Sequence, residues 1–382
     1  MATVLVTGGA GYIGCHACKA LAAAGHLPVV FDNLENGYEW AVQWGPFENG
    51  GIRERAALDA AIAAHRPDAV MHFAGYIEVG ESVRDPLRFY RNNVAGSLIL
   101  LEAMHAASID HIVFPAPLPS MAFRMWCRSV KTPRLRLSAP TRAANWRWNT
   151  CSRIVAPRMV CTMPLRYFNA AGADPEGCIG ESHSPETHVL LLSIDTALGR
   201  RKNFSIFGSD YPTPGGTAVR DYIHVDDLAV VHVAALEHLL AARDSLVLNR
   251  GTGIGCSVRE LIDAAERVSG RKVPVTEEGR PAPAIRRRLS PIHASRKRYS
   301  AGGPITQTSM LLLPPPGNGT PRKLSYIPRW SVRRFSSVTY NLVRACRGSH
   351  RRAARSRPYV PYPQDALPPR RPPRPGMRHR PV

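Results

Sequence analysis

The sequence predicts an α/β protein: a Rossmann-type doubly wound parallel sheet followed by a smaller C-terminal α/β part. Three observations carry this. A glycine-rich turn joins an apolar run to a helical pattern at the N-terminus, an acidic residue closes the next apolar run, and strands alternate with helices as far as residue 114.

In the first of these, Val4 to Val6 reads as a buried parallel strand, and the helical pattern runs from Tyr12 to Ala24. Gly8 permits the tight turn, Gly11 lets the backbone approach a pyrophosphate, and Gly14 allows close packing of helix on strand. A helix N-terminus there offers unpaired N–H groups and a partial positive charge to phosphates. The second apolar run, Pro28 to Phe31, ends in Asp32, whose carboxylate suits ribose hydroxyls and disfavours a 2′-phosphate. NAD is therefore expected rather than NADP. Asp68 to Phe73 gives a third strand, Asn92 to Ala106 a helix, and Ile112 to Phe114 the start of a fourth strand.

The pattern then stops. Residues 115–164 show neither period, hold nine Lys/Arg and no Asp/Glu, and are rich in Pro and Trp. Order is expected to resume at Leu165 and continue through Gly279, with a strand at Phe204 to Phe207 and helices over Asp226 to Ala241 and Val258 to Val268. From residue 281 the chain is Pro/Arg-rich, with 22 Lys/Arg and only Asp365 as an acid, a composition that builds no core. The organisation expected is a dinucleotide-binding part over 1–164, disrupted at 115–164, a second ligand part over 165–280, and a basic tail over 281–382.

The formal charge of +21 sits in those two basic stretches; the remainder holds 19 basic and 28 acidic residues, a net −9. The tail lacks the patterning of nucleic-acid-binding modules, so no nucleic-acid partner is expected, with nucleic-acid or polyanion binding by the tail as the alternative. No leader and no run of eighteen apolar residues is seen, so no membrane partner is expected. Eight cysteines without a framework point to a reducing cytoplasm. Cys15 and Cys18 are expected as small buried side chains facing the sheet. No metal ligands are assigned.

The strings VLVTGGAGYIG, VVFDNLENG, HFAGYIEVGESVRDPLRFYRNNVAGS, LRYFNAAGADPEGCIGE, IFGSDYPTPGGTAVRDYIHVDDLA and NRGTGIGCSVRELIDAAERV resemble the UDP-glucose 4-epimerase family of extended short-chain dehydrogenases/reductases. They cover about 60% of the chain, residues 1–114 and 165–279. The resemblance implies NAD as cofactor, UDP-glucose and UDP-galactose as substrates, and the homodimer usual in the family. Gly8, Gly11, Tyr12, Ile13, Gly14, Asp32, Asn33, Phe73, Ala74, Gly75 and Asn92 would line the NAD site, with Phe168 near the nicotinamide. Asn169, His188, Val189 and Arg220 would contact the UDP-sugar, Arg220 on a diphosphate oxygen.

Three departures stand out. Gly50-Gly51 replaces the family's Gly-Asp before a strand residue at Ile52, and Ile77 stands where a Lys is common. The third is larger: the family's Ser/Thr-rich strand end and Tyr-x-x-x-Lys pair belong in 115–164, where no Tyr occurs. No catalytic residue is therefore assigned, and the chain is expected to be impaired or a non-catalytic NAD-binding remnant. Read from the third base of each codon, Phe114 to Ala122 can encode SSTxAIYG, and Ala139 to Ser152 can encode PYAGSKLAVEYML. Pro281 to Pro304 permits a further stretch of family-like sequence in the same frame. Single-base frame errors near Phe114, Pro164 and Gly279 are the expectation.

Overall fold

The computed structural model describes residues 1–116 and 161–279, apart from residues 168, 212, 214, 243–244, 246–247, 250 and 252–254. The readings made on residues 117–160, on Phe168 and on the tail from residue 280 lie outside the described residues.

Strand β1 (Thr3–Thr7) leads through the glycine turn into α1 (Tyr12–Ala23), followed by β2 (Leu27–Asp32), β3 (Phe47–Asn49), α2 (Arg55–His65) and β4 (Ala69–His72). Two short helices, α3 (Val79–Arg84) and α4 (Pro86–Tyr90), precede a π turn at Arg91–Gly96, then α5 (Ser97–Ala106) and β5 (His111–Ala116). Next come β6 (Cys161–Arg166), β7 (Asn169–Ala171), α6 (Val189–Ala197), β8 (Phe204–Phe207), β9 (Val219–Arg220) and β10 (Tyr222–His224). The described chain ends with α7 (Val225–Ala242), β11 (Leu248–Asn249), β12 (Cys256–Ser257), α8 (Val258–Ser269) and β13 (Val275–Glu278).

Seven strands form one parallel sheet in the order β11-β6-β5-β4-β1-β2-β3. Both faces are covered, which is why its strands read as continuous apolar runs rather than alternating ones. On one face Leu5, Val29, Phe31, Val70 and Ile112 pack with Leu58 of α2 and Leu100 and Met104 of α5. On the other, Val4, Val6, Val30, Met71 and Leu165 pack with Ala17, Cys18 and Leu21 of α1 and Val233, Leu236 and Leu239 of α7. A separate core joins Leu190 and Ile194 of α6, Phe204 and Ile206 of β8, and Leu261 and Ala265 of α8. Helix α8 starts with a capping box, Ser257 with Glu260, and stops at Gly270 in the left-handed region.

Several expected details shift. The strand expected from Leu165 begins at Cys161, because it pairs with β5 from His111 onward. The expected division at 164/165 thus falls inside β6, and the later residues return α7 and β11 to the first sheet. Ile52 is not a strand residue: β3 ends at Asn49, and Ile52 is buried in the turn that follows, against the core under α5. The helix expected from Asn92 begins as a π turn, whose wider winding carries buried Asn93 and Gly96. Cys18 faces the sheet core as expected, but Cys15 packs against Ala41 and Ile179 instead.

Candidate cofactor and sugar-nucleotide site

The cradle is built from backbone. Gly8 has φ +73°, and a Cβ there would stand 2.5 Å from Ala74 N, so the loop after β4 lies directly on the turn. A Cβ on Gly14 would stand 2.1 Å from Gly8 O, so the helix start is pressed onto the turn. Gly11 is different. A Cβ there would meet only Gly8 O, at 3.3 Å, leaving its outer side open. Gly11 is also the N-cap of α1, with no capping side chain and no acid in the first turn. The N–H groups of Tyr12, Ile13 and Gly14 therefore lack a side-chain acceptor, the arrangement a pyrophosphate fits.

Asp32 ends β2 beside this turn, and its carboxylate accepts from Ala10 N at 3.0 Å and Leu34 N at 2.8 Å. Burial raises its pKa above the ordinary carboxylate value, although these two N–H groups pull the other way. Asn33 follows, its Oδ1 accepting from Glu35 N. The loop Phe73–Gly75 is placed by groups that the sequence reading did not single out. Asn93 Oδ1 accepts from Tyr76 N at 2.9 Å while its Nδ2 donates to Tyr76 O at 2.8 Å. Asn92 reaches the same clamp by donating to Asn93 Oδ1. Below it, His72 bridges Thr7 Oγ1 and Ser97 Oγ, and burial lowers its pKa to about 4. Gly37 was also missed: a Cβ there would stand 3.0 Å from Asp32 Oδ1. A glycine five residues after the acid was the visible signal.

One face of α1 reaches the second part of the chain. Tyr12 donates to Gly172 O, His16 pairs with Asp226, and Lys19 bonds Asp174 and Glu176. Positions 12, 16 and 19 share a helix face, so a polar stripe on an otherwise apolar helix was the legible sign. These bonds fix the cofactor helix against the segment after β7 and the first turn of α7.

Asn169 and Arg220 sit on neighbouring segments: Asn169 N donates to Asp221 O, and β7 pairs in parallel with β10. Arg220 is half-buried and donates to Val219 O. His188 and Val189 approach by another route, as the N-cap and first residue of α6. The loop before them touches α1, with the rings of His183 and Tyr12 edge to face at 6.5 Å.

The model of the NAD dependent epimerase/dehydratase family matches residues 4–116 and 150–251. The chain belongs to this family. Among curated members, a UDP-glucose 4-epimerase from Rhizobium leguminosarum bv. trifolii is 51% identical over 282 residues, covering 73% of this chain and 85% of the relative. One from Rhizobium meliloti is 50% identical, covering 70% and 82%. Among solved members, Brucella ovis UDP-glucose 4-epimerase in complex with NAD superposes with a TM-score of 0.69 at 40% identity, covering 76% of this chain and 89% of that one. The Stenotrophomonas maltophila enzyme, with bound NAD and formylated UDP-arabinopyranose, gives 0.69 at 36% identity, covering 76% and 90%. The match of the family model through residues 150–164 extends the recognisable sequence upstream of Leu165.

Proposed function

We infer that this chain is a UDP-glucose 4-epimerase by descent, an isomerase that keeps its NAD and UDP-sugar sites and is impaired in proton transfer. Residues up to 164 serve the cofactor and residues 165–280 the sugar nucleotide. The observation that carries the binding half is the uncapped α1 N-terminus beside Asp32. Bound NAD supplies the chemistry of taking a hydride from sugar carbon 4 and giving it back on the opposite face.

The chain's own groups bind and orient. The first turn of α1 holds the pyrophosphate, and Asp32 accepts from the adenosine ribose. Asn169, His188 and Val189 contact the UDP-sugar, whose diphosphate Arg220 pairs. UDP-glucose and UDP-galactose are the substrates assigned. Cys15, Cys18, Cys178 and Cys256 form no disulfide, which fits a reducing cytoplasm. No helix among the described residues is long and apolar enough to cross a membrane.

Removing the sugar 4-hydroxyl proton needs a base whose pKa lies near the working pH. In the family this is a Tyr lowered by a Lys, and residues 115–164 contain no Tyr. Tyr12, Tyr76 and Tyr167 are no substitute: burial pushes the phenol pKa of each upward. Loss of a positioned base typically costs about 10²–10⁴-fold in rate.

The test is to incubate the purified chain with UDP-galactose, resolve the nucleotide sugars, and quantify NAD released from the same sample. NAD present with UDP-glucose formed at least about a hundredfold more slowly than by an intact relative is the expected result. Turnover matching a relative overturns the impairment, and a 4-keto-6-deoxy product overturns the epimerase assignment. Folded protein with no affinity for NAD overturns the binding half. Resequencing the gene across codons 110–170 and 275–320 tests the frame errors: SSTxAIYG and PYAGSKLAVEYML encoded in a shifted frame of the DNA support them, and their absence from that frame refutes them.

A further inference from the structure

The loop leading into α6 gathers four metal-ligating side chains: Glu181, His183, Glu186 and His188. One donor atom from each lies within 4.8 Å of the others. His183 Nδ1 stands 3.6 Å from Glu181 Oε1 and 3.7 Å from Glu186 Oε2. His188 Nδ1 is 3.6 Å from Glu186 Oε1 and in direct contact with Glu181 Oε1. For bonds of about 2.0–2.1 Å, a tetrahedral centre has edges of roughly 3.4 Å, close to the two separations made by His183 Nδ1.

The surroundings favour a cation. The Glu181 side chain is 2% exposed, and Glu181 Oε1, His183 Nδ1 and His188 Nδ1 are all sealed from solvent. Glu186 Oε1 already accepts from Thr187 N and His188 N, which leaves its Oε2 for a further partner. Among the described residues, neither carboxylate has an ion pair with Lys or Arg; their ionic partners are these two histidines. Two enclosed carboxylates without a permanent positive charge are costly.

We propose that this loop binds one divalent cation, of the zinc class, through His183 Nδ1, His188 Nδ1, Glu181 and Glu186. Two imidazoles and two carboxylates match the borderline ligand preference of zinc, and two negative charges balance the ion. Four protein ligands close the coordination shell, so the ion is structural. It pins the loop against Tyr12 of the cofactor helix and fixes the N-terminus of α6. The proposal does not rest on the UDP-sugar reading: Nδ1 of His188 is buried, whereas 40% of its side chain is exposed and left for other contacts. The competing arrangement is two imidazolium–carboxylate pairs with no metal.

The test strips the full-length chain with a chelator, dialyses it against Zn²⁺ or Co²⁺, and measures bound metal by mass spectrometry after gel filtration. One equivalent per chain is expected, with the intense visible bands of tetrahedral Co²⁺ and no thiolate charge-transfer band. His183→Ala and Glu181→Gln should each lose that equivalent. Metal retained in full by either folded variant overturns the site, because other histidines or cysteines then hold it. A wild-type chain that keeps less than a tenth of an equivalent, or shows octahedral or thiolate-bound Co²⁺, overturns it without any variant. Should both variants fail to fold, the wild-type stoichiometry and spectrum decide.

Discussion

The C-terminal ends of β1 and β5 stand two strands apart in one sheet, yet they differ in what they bring to the crevice. Beyond β1 lies a turn shaped mainly by backbone: Gly8 under Ala74, Gly14 on Gly8 O, and the bare N-terminus of α1. β5 ends in Pro115 and Ala116, neither of which carries a hydroxyl. Binding a dinucleotide needs one short stretch near the N-terminus plus Asp32, whereas proton transfer needs particular side chains on a later strand and helix. The two capacities are encoded in different segments, so one can be lost while the other stays. The proposed UDP-sugar contacts lie between these cases: Asn169 sits on β7 beside β10 and Arg220 on β9 beside β12, but His188 depends on a loop.

The sharpest way to break the intact side is Gly14→Val. Its Cβ would lie 2.1 Å from Gly8 O, a backbone atom that cannot swing aside. Overpacking of this kind costs about 1–3 kcal/mol in a core that adjusts, and more where it cannot. We expect at least about 3 kcal/mol lost in urea unfolding, with NAD binding abolished. Gly279→Ala, at a site where a Cβ meets nothing within 4 Å and no left-handed φ is required, should retain both stability and NAD binding.

Acid should act next most strongly. His72 and His232 are both fully enclosed, and burial lowers each pKa to about 4 from an unfolded value of 6.5. Between those values the unfolded chain binds more protons, so the stabilisation is complete above pH 6.5 and is lost as pH falls towards 4. Each histidine should withdraw roughly 3 kcal/mol over that window. Denaturant midpoints measured from pH 7 to 4 should fall steeply, and His72→Asn should flatten the slope. A profile unchanged in His72→Asn refutes this role.

Much of this architecture was legible in the sequence because parallel strands and glycine turns leave local marks. Val4 to Val6, the spacing of Gly8, Gly11 and Gly14, and Asp32 after an apolar run each point to one conformation without long-range help. The groups that hold the site together left weaker marks. Asn93 and His72 act by bonding to loops and strands distant in the chain, which no local period announces. The family resemblance puts Ile52 on a strand, but it is buried in a turn by packing under α5. The onset of β6 at Cys161 was hidden by its unpatterned upstream neighbours, and is set by pairing with β5.

Asp32→Ala tests whether the carboxylate supports the turn as well as the ribose. It removes the acceptor for Ala10 N and Leu34 N in a site of low exposure. Hydrogen bonds to a charged group are worth about 1.5–3 kcal/mol, so NAD affinity should fall roughly 10- to 100-fold by titration calorimetry. Asp32→Asn keeps an acceptor and should lose less. Equal losses in both variants show that charge, not acceptor geometry, dominates.

The smallest expected effect is a gain. Ile77 is 55% exposed at the rim of the cofactor loop, held by the Asn93 clamp one residue earlier, where the family commonly has Lys. An isoleucine there gives no donor to ribose or pyrophosphate oxygens, and Ile77→Lys adds one without displacing buried atoms. A charge-assisted bond at a partly solvated rim contributes about 1 kcal/mol, so NAD should bind roughly fivefold more tightly. Epimerisation should not rise with it, since the added ammonium is far in sequence from the missing base and lowers no described tyrosine. If turnover climbs in step with affinity, cofactor retention rather than proton transfer limits the chain, and the contrast between β1 and β5 fails.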